Sequence, residues 1–147
     1  MPKQDGVSEL PHLTAYLDSN VLFSASLSPV SRFLQLWRLA GVSLATSAYA
    51  IDEVRNNILK DGHDQRFTGL LTKTRLISDA NLRFIPTEVT LAEKDRPILA
   101  AAIAASVDFL ITGDKSHFGH LYDSRVAGVV VVAPADFLDR NAYRLTL

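Results

Sequence analysis

The chain has 147 residues, 48% of them hydrophobic, which suits one continuous core, so a single domain over 1–147 is expected, with 1–12 as a flexible amino-terminal extension. It contains no Cys, which excludes disulfides, zinc–thiolate sites and thiol nucleophiles and suits a reducing cytoplasm. Fifteen Lys and Arg against 16 Asp and Glu leave a formal charge of −1, without the global basic excess of a duplex-binding protein.

Met1 is followed by PKQDGVSELPH, which lacks the basic-then-apolar order of a secretory signal. A first strand is expected over 14–17, closing at Asp18, followed by a helix over 20–26. A second helix is expected over 30–39, ending at Gly41, and a second strand over 42–46. Ser47 then occupies an N-cap position for a helix over 48–60 that carries Glu53 about two turns in. A polar helix over 65–77 and a strand over 83–85 follow. Asp95 lies two residues before Pro97 and suits the cap of a helix over 97–106, with the proline in the first turn, where its missing N–H costs nothing. Strands over 109–112 and 129–133 and a helix over 135–141 complete the chain. The run VVVVA is apolar on both faces, as a buried parallel strand must be. The longest apolar run, ILAAAIAASVDFLI, is interrupted by Asp108 and is too short to span a bilayer, so a soluble protein is expected.

This alternation predicts an α/β fold, a three-layer α/β/α sandwich around a central, mainly parallel sheet. Asp18 and Asp114 then stand at carboxyl ends of strands, where open α/β sheets place their ligands. Asp95 stands at a helix mouth and Glu53 on a helix side, so four carboxylates can share one pocket. Gathered carboxylates repel and desolvate one another, a cost that a hard divalent cation relieves. Taken singly, each acid has a plainer role: Asp18 and Asp95 suit caps, Asp114 suits a turn after Gly113, and Glu53 suits a solvent-facing position.

The neighbours extend this pattern. Asn20 and Thr112 can orient a carboxylate or a water, or serve only the local turns. Asp52 adjoins Glu53 but points roughly 100° away around a helix, so only Glu53, beside the stripe of Ile51, Val54 and Ile58, is expected to face the pocket. His117 and His120 form an HxxH without further zinc ligands nearby, and no metal role is expected for them; His12 and His63 read as surface residues. Arg55, Lys60, Arg66, Lys73, Arg75, Arg96 and Lys115 are candidates for a mildly basic rim. Tyr49, Phe67 and Phe118 are core candidates that would otherwise be free to stack a base.

The motifs LDSNVL, the helix with DEV, DRPILAAAIAASVDFLITGD and the downstream VVVVAPADFL, in that order, resemble the PIN-domain family over nearly the whole length. The resemblance implies that Asp18, Glu53, Asp95 and Asp114 bind Mg²⁺, with Mn²⁺ as a substitute, for endonucleolytic cleavage of RNA. One or two such ions would activate a water for in-line attack on the phosphodiester. The near-neutral charge favours single-stranded or looped RNA over duplex. The chain's size is similar to that of the VapC-type toxins of type II toxin–antitoxin pairs, which implies a cognate antitoxin and a homodimer, while the absence of Cys and the short apolar runs lead us to expect a cytoplasmic protein with no membrane partner. GDKSHF departs from the commonest toxin pattern, because His117 rather than an acid precedes Phe118. Two alternatives stay open: a catalytically inactive PIN-like binding module, and a haloacid-dehalogenase-like phosphohydrolase with Asp18 as nucleophile. DSN in place of DxD and the lack of a partner lysine weigh against the second.

Overall fold

A computed structural model describes residues 10–58 and 62–146. Residues 1–9 of the expected 1–12 extension, the end of the expected 48–60 helix and Lys60 lie outside the described residues. Twelve elements follow in chain order: β1 (Leu13–Leu17), α1 (Ser19–Ser26), β2 (Val42–Ser47), α2 (Ala48–Arg55), α3 (His63–Leu71), β3 (Arg75–Ile77), α4 (Arg96–Ala104), β4 (Phe109–Ile111), α5 (Lys115–Phe118), β5 (Arg125–Val126), β6 (Val129–Val132) and α6 (Pro134–Arg140). The six strands form one sheet in the order β3-β2-β1-β4-β6-β5, and only the β5–β6 pair is antiparallel.

Alternation along the strands divides the core between two faces. Ala15, Leu17, Leu44, Ile111 and Val132 pack with Val21 and Leu22 of α1, Phe67 of α3 and Phe137 of α6. Tyr16, Leu110, Val129 and Val131 face the other way, against Ile98–Ala102 of α4 and Phe118 of α5. The alanines of α4 have almost no side-chain volume, and all five residues from Ile98 to Ala102 are buried. This is the expected three-layer α/β/α sandwich. The helix α2 straddles the layers: Ala50 joins the second cluster and Val54 the first, so Glu53 between them overlooks an end of the sheet.

Several local expectations change. The third sheet strand is Arg75–Ile77, inside the span expected to be helical, and it pairs with β2 from Ala45↔Arg75 to Ser47↔Ile77. Its helix ends at Leu71, and the Thr74 hydroxyl donates to the Leu70 carbonyl and accepts from the Trp37 indole, which turns the chain onto the sheet edge. Segment 83–85 is no strand: Leu82–Phe84 is a 3₁₀ turn started by Asn81, whose side chain accepts from the Arg83 N–H. Arg32–Arg38 is likewise a 3₁₀ helix, opened by Ser31 accepting from Phe33 N–H. The two-residue strand β5 and the four-residue helix α5 are too short to produce a readable period. Among the described residues no helix is long and apolar enough to cross a membrane.

Candidate active site

Strand order reverses between β1 and β4: β2 flanks β1 on one side and β6 flanks β4 on the other. That switch opens a crevice at the carboxyl end of the sheet, where the following loops diverge. A cavity of about 360 Å³ occupies this position, and Asp18, Glu53, Asp95 and Asp114 all line it, together with Ser19 and Lys94. The structure thus brings the four acids to one crevice.

Asp18 follows β1 directly and is only 3% exposed. Its Oδ1 accepts from the Ser19 N–H at 2.7 Å, capping α1, while Oδ2 accepts from the Thr112 hydroxyl at 2.8 Å and the Asn20 amide at 3.0 Å. Asn20 also receives the Gly113 N–H at 2.7 Å, and Thr112 receives the Asp114 N–H at 3.2 Å. The carboxamide and the hydroxyl therefore tie the loop after β4 to the residue after β1. Both orient a carboxylate, one of the two roles their positions suggest. Burial raises the Asp18 pKa against the pull of these donors, with nearby Asp95 adding to the rise.

Glu53 reaches the cavity from α2 and accepts the Ser19 hydroxyl at 3.1 Å. Partial desolvation, then the charge of Asp18, raises its pKa. Asp52 is exposed on the adjoining helix face, as helical geometry requires. Ser47 does not cap α2 with its side chain; its hydroxyl is buried against Tyr16 Oη at 2.6 Å.

Asp95 differs most from its expected role. It precedes α4 but makes no side-chain cap bond. Its carboxylate turns instead toward His117, whose Nδ1 lies 2.7 Å from Asp95 Oδ2 and 3.0 Å from Asp114 Oδ2. Burial raises the Asp95 pKa and His117 opposes the rise. Asp114 caps α5: its Oδ1 accepts from Ser116 Oγ at 2.9 Å and from the His117 N–H at 3.2 Å. His117, for which no metal role is expected on sequence grounds, is the residue the structure places against two of the four acids. The signal was its position three residues after an acid on a helical turn, legible only once α5 is known to form.

Other expectations are revised too. His63 is buried, with Nε2 2.9 Å from Ser26 Oγ and its ring edge-on to Phe23. Phe67 and Phe118, by contrast, are wholly buried core as expected, and Tyr49 packs partly buried against the core and donates its hydroxyl to the Lys94 carbonyl. Arg66 is spent on the Ser26 and Leu27 carbonyls at the end of α1, and Arg75 sits on the edge strand away from the cavity. Among the described residues, Lys94, next to Asp95, is the cation that lines the cavity.

The donor set fits a divalent cation. Asp95, Asp114 and His117 each offer a ligand atom, and the three atoms lie within 4.8 Å of one another. Asp95 Oδ2 is buried without an aligned hydrogen bond, whereas buried polar groups are ordinarily satisfied.

Fold and crevice define an α/β protein with an acid-lined cavity at a strand-order switch. The PIN domain family matches residues 14–116, and the chain belongs to that family, whose members are generally nucleases that use a divalent metal. No curated protein matches the sequence. Among solved structures, a chain in the crystal structure of VapBC2 from Rickettsia felis bound to a DNA fragment from their promoter shares the fold. Its TM-score is 0.60 at 17% identity, over 82% of this chain and 98% of that one.

Proposed function

We propose that the protein is a divalent-metal-dependent endoribonuclease that cleaves single-stranded or looped RNA, and that it is the toxin of a type II toxin–antitoxin pair. The observation that carries the proposal is the meeting of Asp18, Glu53, Asp95 and Asp114 in one cavity at the switch point of the sheet. Mg²⁺ or Mn²⁺ is the ion such oxygen donors suit. When bound, it supplies Lewis acidity and neutralises charge on the phosphodiester. The remaining work falls to side chains. Thr112, Asn20 and Ser19 hold both oxygens of Asp18 in place, and Ser19 links Asp18 to Glu53. Lys94 at the cavity wall and Lys115 beside Asp114 draw in the RNA backbone.

A second cavity, of about 370 Å³, adjoins the first through Asn20 and Ser24 and is lined by Phe33, Tyr122 and Pro134. It offers an aromatic wall to a base flanking the cut, which an unpaired strand can splay out and a duplex cannot. The toxin assignment, a cognate antitoxin, a homodimer and a cytoplasmic location rest on the family and on the likeness to VapBC2, a complex crystallised with DNA. A nucleophilic role for Asp18 is disfavoured because both its oxygens are committed to donors at 2.7–3.0 Å.

The test is cleavage of a labelled single-stranded RNA by the purified protein with Mg²⁺ or Mn²⁺, with chelator, and with Asp114→Asn. Metal-dependent internal cuts that vanish in the variant support the reading. RNA left intact under all metal conditions, or cuts that survive Asp114→Asn, overturn it.

A further inference from the structure

Two buried side-chain atoms among the described residues lack a hydrogen-bond partner, Asp95 Oδ2 and His117 Nδ1, and they face each other at 2.7 Å. The contact is close but poorly aligned for an N–H···O bond. The Asp95 side chain is only 9% exposed, so its oxygen has little recourse to solvent. Asp114 presents Oδ2 to the same nitrogen at 3.0 Å, and it is free to do so because its Oδ1 is held by Ser116 Oγ and the His117 N–H. The short helix α5 thus fixes an imidazole nitrogen and a carboxylate oxygen one turn apart, both converging on a buried carboxylate from the mouth of α4.

We propose that His117 Nδ1 is itself a ligand of the divalent ion, with Asp95 and Asp114, and that this mixed nitrogen and oxygen set makes the site select Mn²⁺ over Mg²⁺. The inference rests on the metal-dependent reading above and deepens it. Mg²⁺ demands oxygen donors in a near-ideal octahedron and releases its waters reluctantly. Imidazole suits first-row transition ions, whose affinity for a nitrogen donor exceeds that of Mg²⁺. An all-carboxylate site would leave this choice open; an imidazole within reach of two carboxylates biases it. The other histidines are occupied elsewhere: His12 lies against Ser43 Oγ, His63 against Ser26 Oγ and His120 against the Thr90 carbonyl. A nitrogen found on the bound ion is therefore assignable to His117.

The experiment is pulsed electron paramagnetic resonance of the full chain loaded with Mn²⁺, alongside calorimetric titration with Mn²⁺ and Mg²⁺, on wild type and His117→Gln. Wild type is expected to show coupling from a directly bound imidazole nitrogen, absent in His117→Gln. The variant should bind Mn²⁺ about tenfold to a hundredfold more weakly, with Mg²⁺ affinity changed less than about threefold. Bound Mn²⁺ without nitrogen coupling in wild type, or equal Mn²⁺ affinity in both proteins, overturns the role of His117 while leaving a carboxylate site intact. No Mn²⁺ binding to wild type overturns the metal site altogether. The spectroscopic reading is made on the native protein, so it stands even if the variant misfolds.

Discussion

The two ends of the β1–β4 strand pair carry carboxylates in opposite circumstances. At the amino end, exposed Asp108 accepts the Thr14 N–H at 2.9 Å and its hydroxyl at 3.2 Å, while the Asp108 N–H returns a bond to the Thr14 carbonyl at 2.9 Å. That ring is closed, wet and needs nothing further. At the carboxyl end, Asp18 is buried, accepts four hydrogen bonds from Ser19, Asn20 and Thr112 and still has a raised pKa, because burial outweighs them and Asp95 adds repulsion. Glu53 and Asp95 share that fate. Acids that serve structure here are exposed and matched by local donors or an arginine, as in Asp139 with Arg32 and Asp123 with Arg140. At the crevice, burial of Asp18, Glu53 and Asp95 outweighs the donors they meet, and Asp95 Oδ2 meets none.

Substitution at each end breaks the comparison most directly. Asp18→Asn, Asp95→Asn and Asp114→Asn should each reduce metal-dependent RNA cleavage by about a hundredfold or more, since each removes an anionic ligand while keeping shape. Asp108→Asn should leave cleavage at the wild-type rate. An oligonucleotide cleavage assay on the four variants decides it, and comparable losses in all four would mean that the crevice is not the site.

Stability against pH gives the next largest contrast. The folded pKa values of Asp18, Glu53 and Asp95 are raised, so between the unfolded carboxyl range, about 4, and those raised values the folded state holds more protons than the unfolded one. Metal-free protein should therefore lose stability as pH rises through that window. Asp95→Asn should flatten the slope and raise the neutral-pH melting temperature, because burial dominates its shift and outweighs the opposing His117. The gain should be smaller for Asp18→Asn, where a new amide N–H₂ would meet donors of Thr112 or Asn20. Mn²⁺ at a hundred times its Kd should add about 2.7 kcal/mol, with the benefit fading toward acid as protons compete for the ligands. Melting curves across pH with and without Mn²⁺ test the sign: a slope that rises with pH in the metal-free protein contradicts the electrostatic account.

Paired threonines sharpen the contrast further. Thr112→Val removes a fully buried donor to Asp18 and the acceptor of the Asp114 N–H, and should cost about 1–3 kcal/mol and about tenfold or more in cleavage. Thr14→Val, at the wet end, should cost about 0.5 kcal/mol and nothing in cleavage. Denaturant titration and the cleavage assay separate the two.

What could be read in advance divides along similar lines. Strands buried on both faces, such as VVVV, and the alanine-rich α4 announce themselves by composition, because burial on all sides leaves little choice of residue. Asp18 and Asp114 follow such strands, and the apolar stripe of α2 fixes which way Glu53 faces. The three-residue β3 was hidden because Arg75 and Leu76 are exposed at a sheet edge and show no period of their own; only pairing with β2 makes the segment a strand. Asp95 and Ser47 sit where caps belong, yet long-range partners, His117 and Tyr16, claim their side chains. His117 was obscured for the same reason: a four-residue helix aims it, and no periodicity reports so short an element.

The smallest expected effect falls at Gly113, where the loop after β4 passes the Asn20 carboxamide. A Cβ there would lie 3.2 Å from Asn20 Oδ1, so Asn20 must give by a few tenths of an ångström. That group has little freedom, because Oδ1 receives the Gly113 N–H at 2.7 Å and Nδ2 donates to Asp18 Oδ2 at 3.0 Å. Any shift is passed to the carboxylate. Gly113→Ala should be nearly neutral in stability, since the reduced freedom of the unfolded chain, worth about 0.4–1 kcal/mol, offsets the crowding. Cleavage should still fall severalfold and up to about tenfold, the low end for residues that orient a metal ligand. An unchanged rate with unchanged stability would mean that Asn20 only closes the loop, and that Asp18 takes its orientation from Thr112 and Ser19 alone.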